Sequence, residues 1–292
     1  MPARPGSTTN GGGPRPVLRI ASILAVVAVA AAAKAEPSSR PTIASIDLCA
    51  DQAVVALADP GSIAGLSRWA RDVNLSPVAP VAGNLPSLAE SAESVLMSGA
   101  STVVADTYGD AKTFALLDRI GVTIFRMPAA DSFAEVFVAL RLIARDLHEE
   151  AKERILEADL STRLDRLQAS LPPQRPRAAY VRADGGTAGD GTAVDAALAA
   201  AGYRNLATDL GIHGWGRLDL ETLVMSPPDV FVTSSFSSRR WSLHDAFGRH
   251  PVFRDMEARV PTVVVPARLW SCGGWPLVQA AETLAAARRE PR

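Results

Sequence analysis

The chain has 292 residues, of which 48% are hydrophobic and 21% charged, so it can bury a core large enough for one large domain or two lobes. Its net charge is −1, and no basic run with interleaved aromatic residues occurs, which argues against a nucleic-acid-binding protein. The two cysteines, Cys49 and Cys272, form neither a CxxC pair nor a Cys/His zinc pattern.

Residues 1–35 are predicted to be a signal peptide. Three arginines precede an apolar run of 14 residues at 20–33, and an A-x-A site at 33–35 predicts cleavage after Ala35. The run is shorter than the about 20 residues that a membrane-spanning helix needs. Cleavage removes four basic residues and no acidic one, which changes the net charge from −1 to −5. We therefore expect a soluble protein exported to the periplasm.

The mature sequence alternates short β-rich apolar runs with helical patterns, which is typical of an α/β fold with largely parallel sheets. The first predicted set comprises strands at 42–46, 62–67, 101–106 and 122–127, and helices at 50–58, 88–98 and 110–120. The second predicted set comprises strands at 177–183, 229–234 and 262–266, and helices at 192–201, 219–225 and 276–289.

Between these sets, residues 132–170 carry no strand pattern. Ser132 and Glu135 form a capping box before apolar residues at helical spacing, which predicts a helix over 133–147, about 22 Å long. The segment HEEAKERILEADLSTRLDRLQASL predicts a second helix, ended by two prolines. The resulting organisation is an N-terminal lobe at 41–131, the connecting helix and the following helix at 132–172, and a C-terminal lobe at 173–290.

Large aromatic and arginine side chains follow the predicted strands, and all five tryptophans fall in predicted loops. Ligands of open α/β sheets bind outside the carboxyl ends of the strands. Indole faces and guanidinium groups suit an amphipathic ligand with an apolar face and some negative charge. The alternative is that each tryptophan anchors its own loop on the core. The candidate binding residues are Arg68, Trp69, Arg71, Tyr108, Trp215, Arg239, Arg240, Trp241 and Trp270.

Catalytic motifs are absent from the sequence. It contains no G-x-S-x-G elbow, P-loop or H-E-x-x-H motif, and its four histidines lack metal-ligand spacing, so we expect neither an enzyme nor a resident metal or cofactor. The glycine-rich segment ADGGTAGDGT lacks the Lys-Ser/Thr of a phosphate loop and is interpreted as a turn before the helix near Thr192. Either Asp47 or Asp51 is expected to cap the first helix.

Cys49 is expected just after the first strand of one lobe, and Cys272 just after the last strand of the other. Both would then face the region between the lobes. An even number of cysteines in an oxidising compartment permits one disulfide. Two free thiols in contact with a ligand are the alternative, which the sequence leaves open.

Several segments, taken in order, resemble the periplasmic substrate-binding proteins of the iron-siderophore, haem and vitamin B12 ABC importers. The resemblance covers about residues 41–288 and implies two Rossmann-like lobes with mainly parallel sheets, connected by one long rigid α-helix. The segments are IASIDLCADQAVVALADPGSIAGLS, ESVLMSGASTVVADTY, LLDRIGVTIFRM, SFAEVFVALRLIARDL, GDGTAVDAALAAAGYRNLA and LETLVMSPPDVFVT.

The resemblance implies a monomeric binder that captures a ferric siderophore or similar metal chelate between its lobes and delivers it to an inner-membrane ABC permease dimer. Cobalamin is the alternative within the same family, because a corrin face would also suit a tryptophan-lined cleft. Haem is less favoured, since only Tyr108 and His213 are candidate axial ligands. A secreted enzyme or a secreted metal-cofactor chaperone with the same two-lobed architecture is the alternative from another class, and the lack of a catalytic motif weighs against the enzyme.

The resemblance also implies that each lobe offers one acidic residue to arginines of the permease. Alignment by the following strand places Glu93 at this position in the first lobe and Glu221 in the second. Each stands ten residues before an apolar pair, at 103–104 and 231–232. A glutamate in the first turn of a helix also favours the helix dipole, which is the structural alternative.

Overall fold

The computed structural model describes residues 42–235 and 247–289. The predicted signal peptide at 1–35 and the candidate residues Arg239, Arg240 and Trp241 lie outside the described residues. Within 42–235 and 247–289, no helix has the length and apolar character needed to cross a membrane.

Five parallel strands form the first sheet, in the order β3-β2-β1-β4-β5. Four of them lie within one residue of the predicted strands, whereas the two-residue β3 is too short to show a pattern in sequence. The strands are β1 Ile43–Ser45, β2 Ile63–Ser67, β3 Ser87–Leu88, β4 Thr102–Asp106 and β5 Thr123–Met127. The helices of this lobe are α1 Leu48–Leu57, α2 Ala79–Ala82, α3 Ala92–Ser98 and α4 Ala111–Arg119.

Two helices lie between the sheets in sequence, α5 at Phe133–Leu147 and α6 at Glu150–Ala169. The capping prediction for α5 is confirmed, because the Glu135 N–H donates to Ser132 Oγ at 3.2 Å. The predicted start of α6 at His148 is wrong. His148 ends α5 in the left-handed conformation, with φ of 58°, which usually favours glycine, and so cannot begin the next helix.

Four parallel strands form the second sheet, in the order β11-β10-β6-β8, and an antiparallel pair, β7 and β9, stands apart from it. The strands are β6 Arg177–Tyr180, β7 Gly186–Ala188, β8 Arg204–Asn205, β9 Trp215–Arg217, β10 Val230–Ser235 and β11 Thr262–Pro266. The helices are α7 Ala193–Ala200, α8 Leu206–Asp209, α9 Leu220–Met225, α10 Pro251–Glu257 and α11 Leu277–Arg289.

Two sequence interpretations of this lobe are wrong. The glycine-rich segment is more than a turn, since it contains β7, and Trp215 lies in β9 rather than in a loop. Each strand has three residues, too few for an apolar period, and glycines supply no side-chain pattern. The predicted α/β fold with parallel sheets is confirmed.

The helices between and beside the two sheets share one continuous core. Buried apolar side chains of α1, α5, α6, α7 and α11 pack in a single cluster, which includes Leu57, Ile143, Leu160, Leu198 and Leu284. Smaller clusters cover the outer sides of the two sheets. The candidate site lies at the carboxyl ends of strands from both sheets.

Candidate ligand-binding groove

A groove of about 240 Å³ lies at the carboxyl ends of strands from both sheets. The first lobe contributes Asp106 and Tyr108 at the end of β4, and residues Met127 to Asp131 at the end of β5. The second lobe contributes Trp215 of β9 and the residues after β11, from Trp270 to Gly273. Its position is the one that ligands occupy in open α/β sheets.

Two aspartates shape the first-lobe wall. Asp106 Oδ1 accepts the N–H of Tyr108 at 2.7 Å, which turns the chain after β4 and leaves the Tyr108 side chain 82% exposed. Asp47 caps α1 by accepting the N–H groups of Cys49 and Ala50, as predicted for one of two aspartates. Its other oxygen accepts the Asp106 N–H at 2.7 Å. Burial raises the pKa of Asp47 to about 7, against the opposing effect of these backbone donors.

Two indoles, those of Trp215 and Trp270, line the second-lobe wall, and the buried ring of Tyr180 contacts both. The Tyr180 ring meets Trp270 edge-on, with centroids 5.3 Å apart, and Trp215 at 6.4 Å. Trp270 is 6% exposed, and its Nε1 donates to Ser234 Oγ at 2.5 Å. Trp215 is 60% exposed, so its indole is free to contact a bound molecule. The wall thus combines a fixed indole with an accessible one.

A disulfide between Cys49 and Cys272 forms part of the groove, with Cα atoms 5.4 Å apart. This is one of the two alternatives that the sequence left open. The neighbouring residue, Gly273, passes so close to the first lobe that a Cβ there would lie 1.6 Å from the carbonyl oxygen of Ala130. The segment after β11 is therefore fitted against the first lobe, and only glycine is accommodated at position 273.

The charged residues among the described lining are both acidic, Asp106 and Asp131. Ligand atoms of Asp47, Cys49 and Asp106 lie within 4.8 Å of one another, which is compatible in distance with a metal site. The sulfur of Cys49 is bonded to Cys272, and both Asp47 oxygens accept backbone N–H groups. These three groups are therefore already used in holding the fold.

Three of the predicted binding residues meet in this groove, namely Tyr108, Trp215 and Trp270. The others in the described part of the chain, Arg68, Trp69 and Arg71, are not among its lining residues. The Arg68 guanidinium lies 4.5 Å from the centroid of the Trp69 ring. A ligand contact by either side chain remains a prediction.

Arg71 holds the loop that follows β2. Its guanidinium donates to the carbonyl oxygens of Ala82 at 3.4 Å and Leu85 at 2.6 Å. To bind a ligand, the Arg71 guanidinium would have to give up these hydrogen bonds. Its role as a ligand-binding residue stays a prediction. The sequence analysis did not predict that the carboxylates of Asp106 and Asp131 line the groove. Asp106 could have been predicted in the same way as Tyr108, because it is the last residue of the predicted strand that Tyr108 follows.

The periplasmic binding protein family matches residues 43–259. The chain belongs to this family. Two curated relatives from strains of Halobacterium salinarum, both named cobalamin-binding protein, are 28% identical to this periplasmic binding protein over 207 residues. The match covers 69% of this chain and 56% of theirs, so the chain spans about half the length of the relatives.

Solved structures share the fold at low identity. The heme-binding protein HutB of Vibrio cholerae has a TM-score of 0.70 and 17% identity, with 85% of this chain and 98% of that chain covered. RhuT from Roseiflexus sp. RS-1, a heme-binding protein in apo form, has a TM-score of 0.65 and 20% identity, covering 86% of this chain and 100% of that chain. Members of the family are substrate-binding transport proteins rather than enzymes. The family expected from sequence is confirmed.

Proposed function

We propose that this periplasmic binding protein captures a corrinoid such as cobalamin in the groove and delivers it to an ABC permease. The observation that carries the proposal is the combination of exposed aromatic side chains with a lining whose described charged groups are both carboxylates. Trp215 and Tyr108 offer large apolar faces from opposite lobes, which suits a flat macrocycle.

The charge of the lining favours a corrinoid over the other metal chelates of the family. The rim of a corrin carries amide side chains, whose N–H groups donate hydrogen bonds to carboxylates such as Asp131. Haem propionates and ferric catecholates bring negative charges, which the carboxylates of Asp106 and Asp131 would repel. This reverses the order expected from the sequence, which placed a ferric siderophore first. The names of the two curated relatives support the same choice.

Haem is the second candidate, because one observation favours it. The phenol of Tyr108 is 82% exposed on the groove wall, and tyrosine oxygen is an axial ligand of haem iron in some proteins. A ferric siderophore would require cations that face the groove. The sequence offers Arg239 and Arg240 for this purpose, and both lie outside the described residues.

Delivery to a permease dimer requires export and docking. The family name agrees with a periplasmic location, and the predicted signal peptide would direct the chain there. Glu93 and Glu221, the two residues proposed to meet permease arginines, are exposed in the first turns of α3 and α9. We expect the loaded protein to act as a monomer that meets one subunit of the permease with each lobe.

The test is a competition among cyanocobalamin, haemin and a ferric catecholate for protein lacking residues 1–35. We expect cyanocobalamin to quench tryptophan fluorescence and to bind at least about tenfold more tightly than the two anionic chelates. Calorimetry supplies the affinities and visible absorption identifies the bound chromophore. Tighter binding of haemin or of the ferric catecholate, or failure to bind cyanocobalamin, would overturn the proposal.

A further inference from the structure

An exposed apolar pair recurs at the end of one helix in each lobe. In α3, Leu96 and Met97 are 50% and 82% exposed, and in α9, Val224 and Met225 are 51% and 84% exposed. Large apolar side chains in this state contribute little to folding. Scattered single examples are ordinary on protein surfaces, but a matched repeat is not explained in that way.

The two helices occupy equivalent places in their lobes. α3 leads into β4, which pairs in parallel with β1, and α9 leads into β10, which pairs in parallel with β6. Each sheet thus places the strand after the helix beside the first strand of its lobe. The registers agree as well, since Val103 lies opposite Ala44, and Phe231 lies opposite Ala179.

The caps and the burial of the two helices follow the same pattern. The Ser94 N–H donates to the cap residue Ser91 at 3.2 Å, and the Thr222 N–H donates to the cap residue Asp219 at 2.7 Å. Residues 93–104 and 221–232 have the same order of exposed, half-buried and buried positions throughout.

In each helix of this repeat, packing into the core accounts for one apolar residue but not for the two that follow it. Val95 and Leu223 are fully buried and belong to the cores of their lobes. The next two residues, Leu-Met in one helix and Val-Met in the other, point to solvent. One turn before each pair stands an exposed glutamate, Glu93 or Glu221.

Exposed apolar side chains also occur on or next to the adjacent helix of each lobe. α4, which packs beside α3, exposes Leu116, and Ile120 directly after α4 is exposed as well. α10 packs beside α9, and Val224 lines a groove of about 430 Å³ with Val252 and other residues of α10 and the turn after it. In each lobe, exposed apolar side chains therefore occur on two neighbouring helical segments rather than on one alone.

We propose that Leu96 and Met97 on one lobe, and Val224 and Met225 on the other, form the two halves of a docking surface for the permease dimer. This rests on the proposed function, which supplies the two-fold partner. Apolar side chains of each permease subunit would cover one pair, while a basic group meets the neighbouring glutamate. Methionine suits such a contact because its unbranched side chain adapts to irregular surfaces.

The repeat itself favours this partner over a second copy of the chain. A symmetric homodimer uses the same patch on both copies and requires one patch per chain. Two equivalent patches within one chain match a partner with two equivalent subunits, each of which meets one lobe. The exposed glutamates complement basic groups, which fixes the sign of the partner's charge.

The test uses Met97→Asp/Met225→Asp in protein lacking residues 1–35. Both side chains are exposed, so we expect unchanged Tm and unchanged cyanocobalamin affinity. Affinity of the unloaded variant for the detergent-purified permease of the host organism should fall about tenfold or more. The matched control, Val138→Asp/Ile155→Asp, alters exposed apolar residues of α5 and α6 and should leave that affinity within about twofold.

A second comparison separates apolar contact from charge. Met97→Ala/Met225→Ala should weaken the permease complex at low and high NaCl alike, whereas the loss caused by Glu93→Gln/Glu221→Gln should shrink as salt screens the charges. Wild-type affinity in the aspartate double variant, or an equal loss in the control, would overturn the proposal. So would a wild-type homodimer that these substitutions convert to a monomer.

The experiments can refute the ligand proposal and the docking-surface proposal independently of each other. If wild-type protein does not bind cyanocobalamin but the aspartate double variant still loses permease affinity, the ligand proposal fails and the docking surface stands. If cyanocobalamin binds and the double variant keeps its permease affinity, the docking surface fails and the ligand proposal stands.

Discussion

The indole Nε1 of Trp275 donates a hydrogen bond to the backbone carbonyl oxygen of Gln52, 3.1 Å away. Gln52 belongs to α1 of the first lobe, and Trp275 to the segment after β11 of the second. Three residues before each of them stand Cys49 and Cys272, joined by the disulfide. The segment after β11 is thus linked to α1 of the first lobe by one disulfide and one hydrogen bond, beside the groove.

A further backbone contact fastens the same segment nearer to β11. The Arg268 N–H donates to the carbonyl oxygen of Asn74 in the first lobe, at 3.1 Å. These contacts hold the two lobes together beside the groove, so we expect the ligand to enter where Tyr108 and Trp215 are exposed.

Loss of the disulfide should destabilise the protein. Cys49 and Cys272 are separated by 223 residues in sequence, so the bond constrains most of the unfolded chain. Cys49→Ser/Cys272→Ser should lower the free energy of unfolding by about 2–5 kcal/mol in urea titrations. Reduction of wild-type protein should produce a similar loss, and the double variant should not respond to reductant. An unchanged urea midpoint in wild-type protein with two titratable thiols would contradict this prediction.

Replacement of Trp275 by Phe should remove one hydrogen bond and leave the ring in place. Because the Gln52 carbonyl loses its indole donor, we expect the free energy of unfolding to fall by about 1 kcal/mol. Trp215→Phe, at an exposed position, serves as the control and should change stability by less than about 0.5 kcal/mol. Equal stabilities of the Trp275 variant and the wild type would show that the hydrogen bond contributes nothing net.

Trp215 should contribute directly to ligand affinity. Its exposed indole lines the groove, so Trp215→Ala should weaken cyanocobalamin binding by about 1–2 kcal/mol without changing Tm. The same substitution should remove part of the fluorescence quenching. Calorimetry with wild-type affinity in this variant would mean that the ligand does not contact the second-lobe wall.

Asp131 should discriminate between neutral and anionic chelates. Asp131→Asn removes one of the two lining carboxylates at an exposed position and should weaken cyanocobalamin binding a few-fold while strengthening haemin binding. Asp165→Asn, an exposed position on α6, should change neither affinity. Parallel changes for both ligands would argue against a selective role of charge.

Glu153 of α6 should make stability depend on pH. Its side chain is buried, and Oε1 has no hydrogen-bond partner among the described residues. Burial and the neighbouring Glu157 raise its pKa from 4.5 to about 7, with Arg141 and Arg154 opposing the shift. The folded protein therefore holds a proton that the unfolded chain releases, so this stabilisation is complete below pH 4.5 and is lost as pH rises through about 7.

Glu153→Gln keeps the shape of the side chain and removes its charge. We expect this variant to be more stable than the wild type above pH 7 by about 1 kcal/mol, the scale for an unsatisfied buried polar group. The difference should vanish below pH 4.5, where wild-type Glu153 is protonated in both states. Urea titrations across this range supply the profile, with Glu150→Gln at an exposed position as the control. Parallel profiles for wild type and Glu153→Gln would exclude this linkage.

The helices and strands were predicted from local patterns of apolar and capping residues. Apolar runs located seven strands, and the caps at Asp47 and Ser132 were recognisable because a cap and its N–H donors are neighbours in sequence. The strands that sequence missed, β3, β7, β8 and β9, have two or three residues each. Their stability comes from a partner strand elsewhere in the chain, and no local period records such a partner.

The sequence by itself determined the α/β class, the family and the general location of the aromatic residues at strand ends, because each follows from order and spacing along the chain. Only the tertiary structure decided that Cys49 and Cys272 are bonded, that Asp106 and Asp131 supply the described charges of the groove, and that Met97 and Met225 are exposed. These properties depend on which surfaces two separate sheets bring together. Residues 223 positions apart become neighbours through the packing of the lobes, which leaves no periodic trace in the sequence around either one.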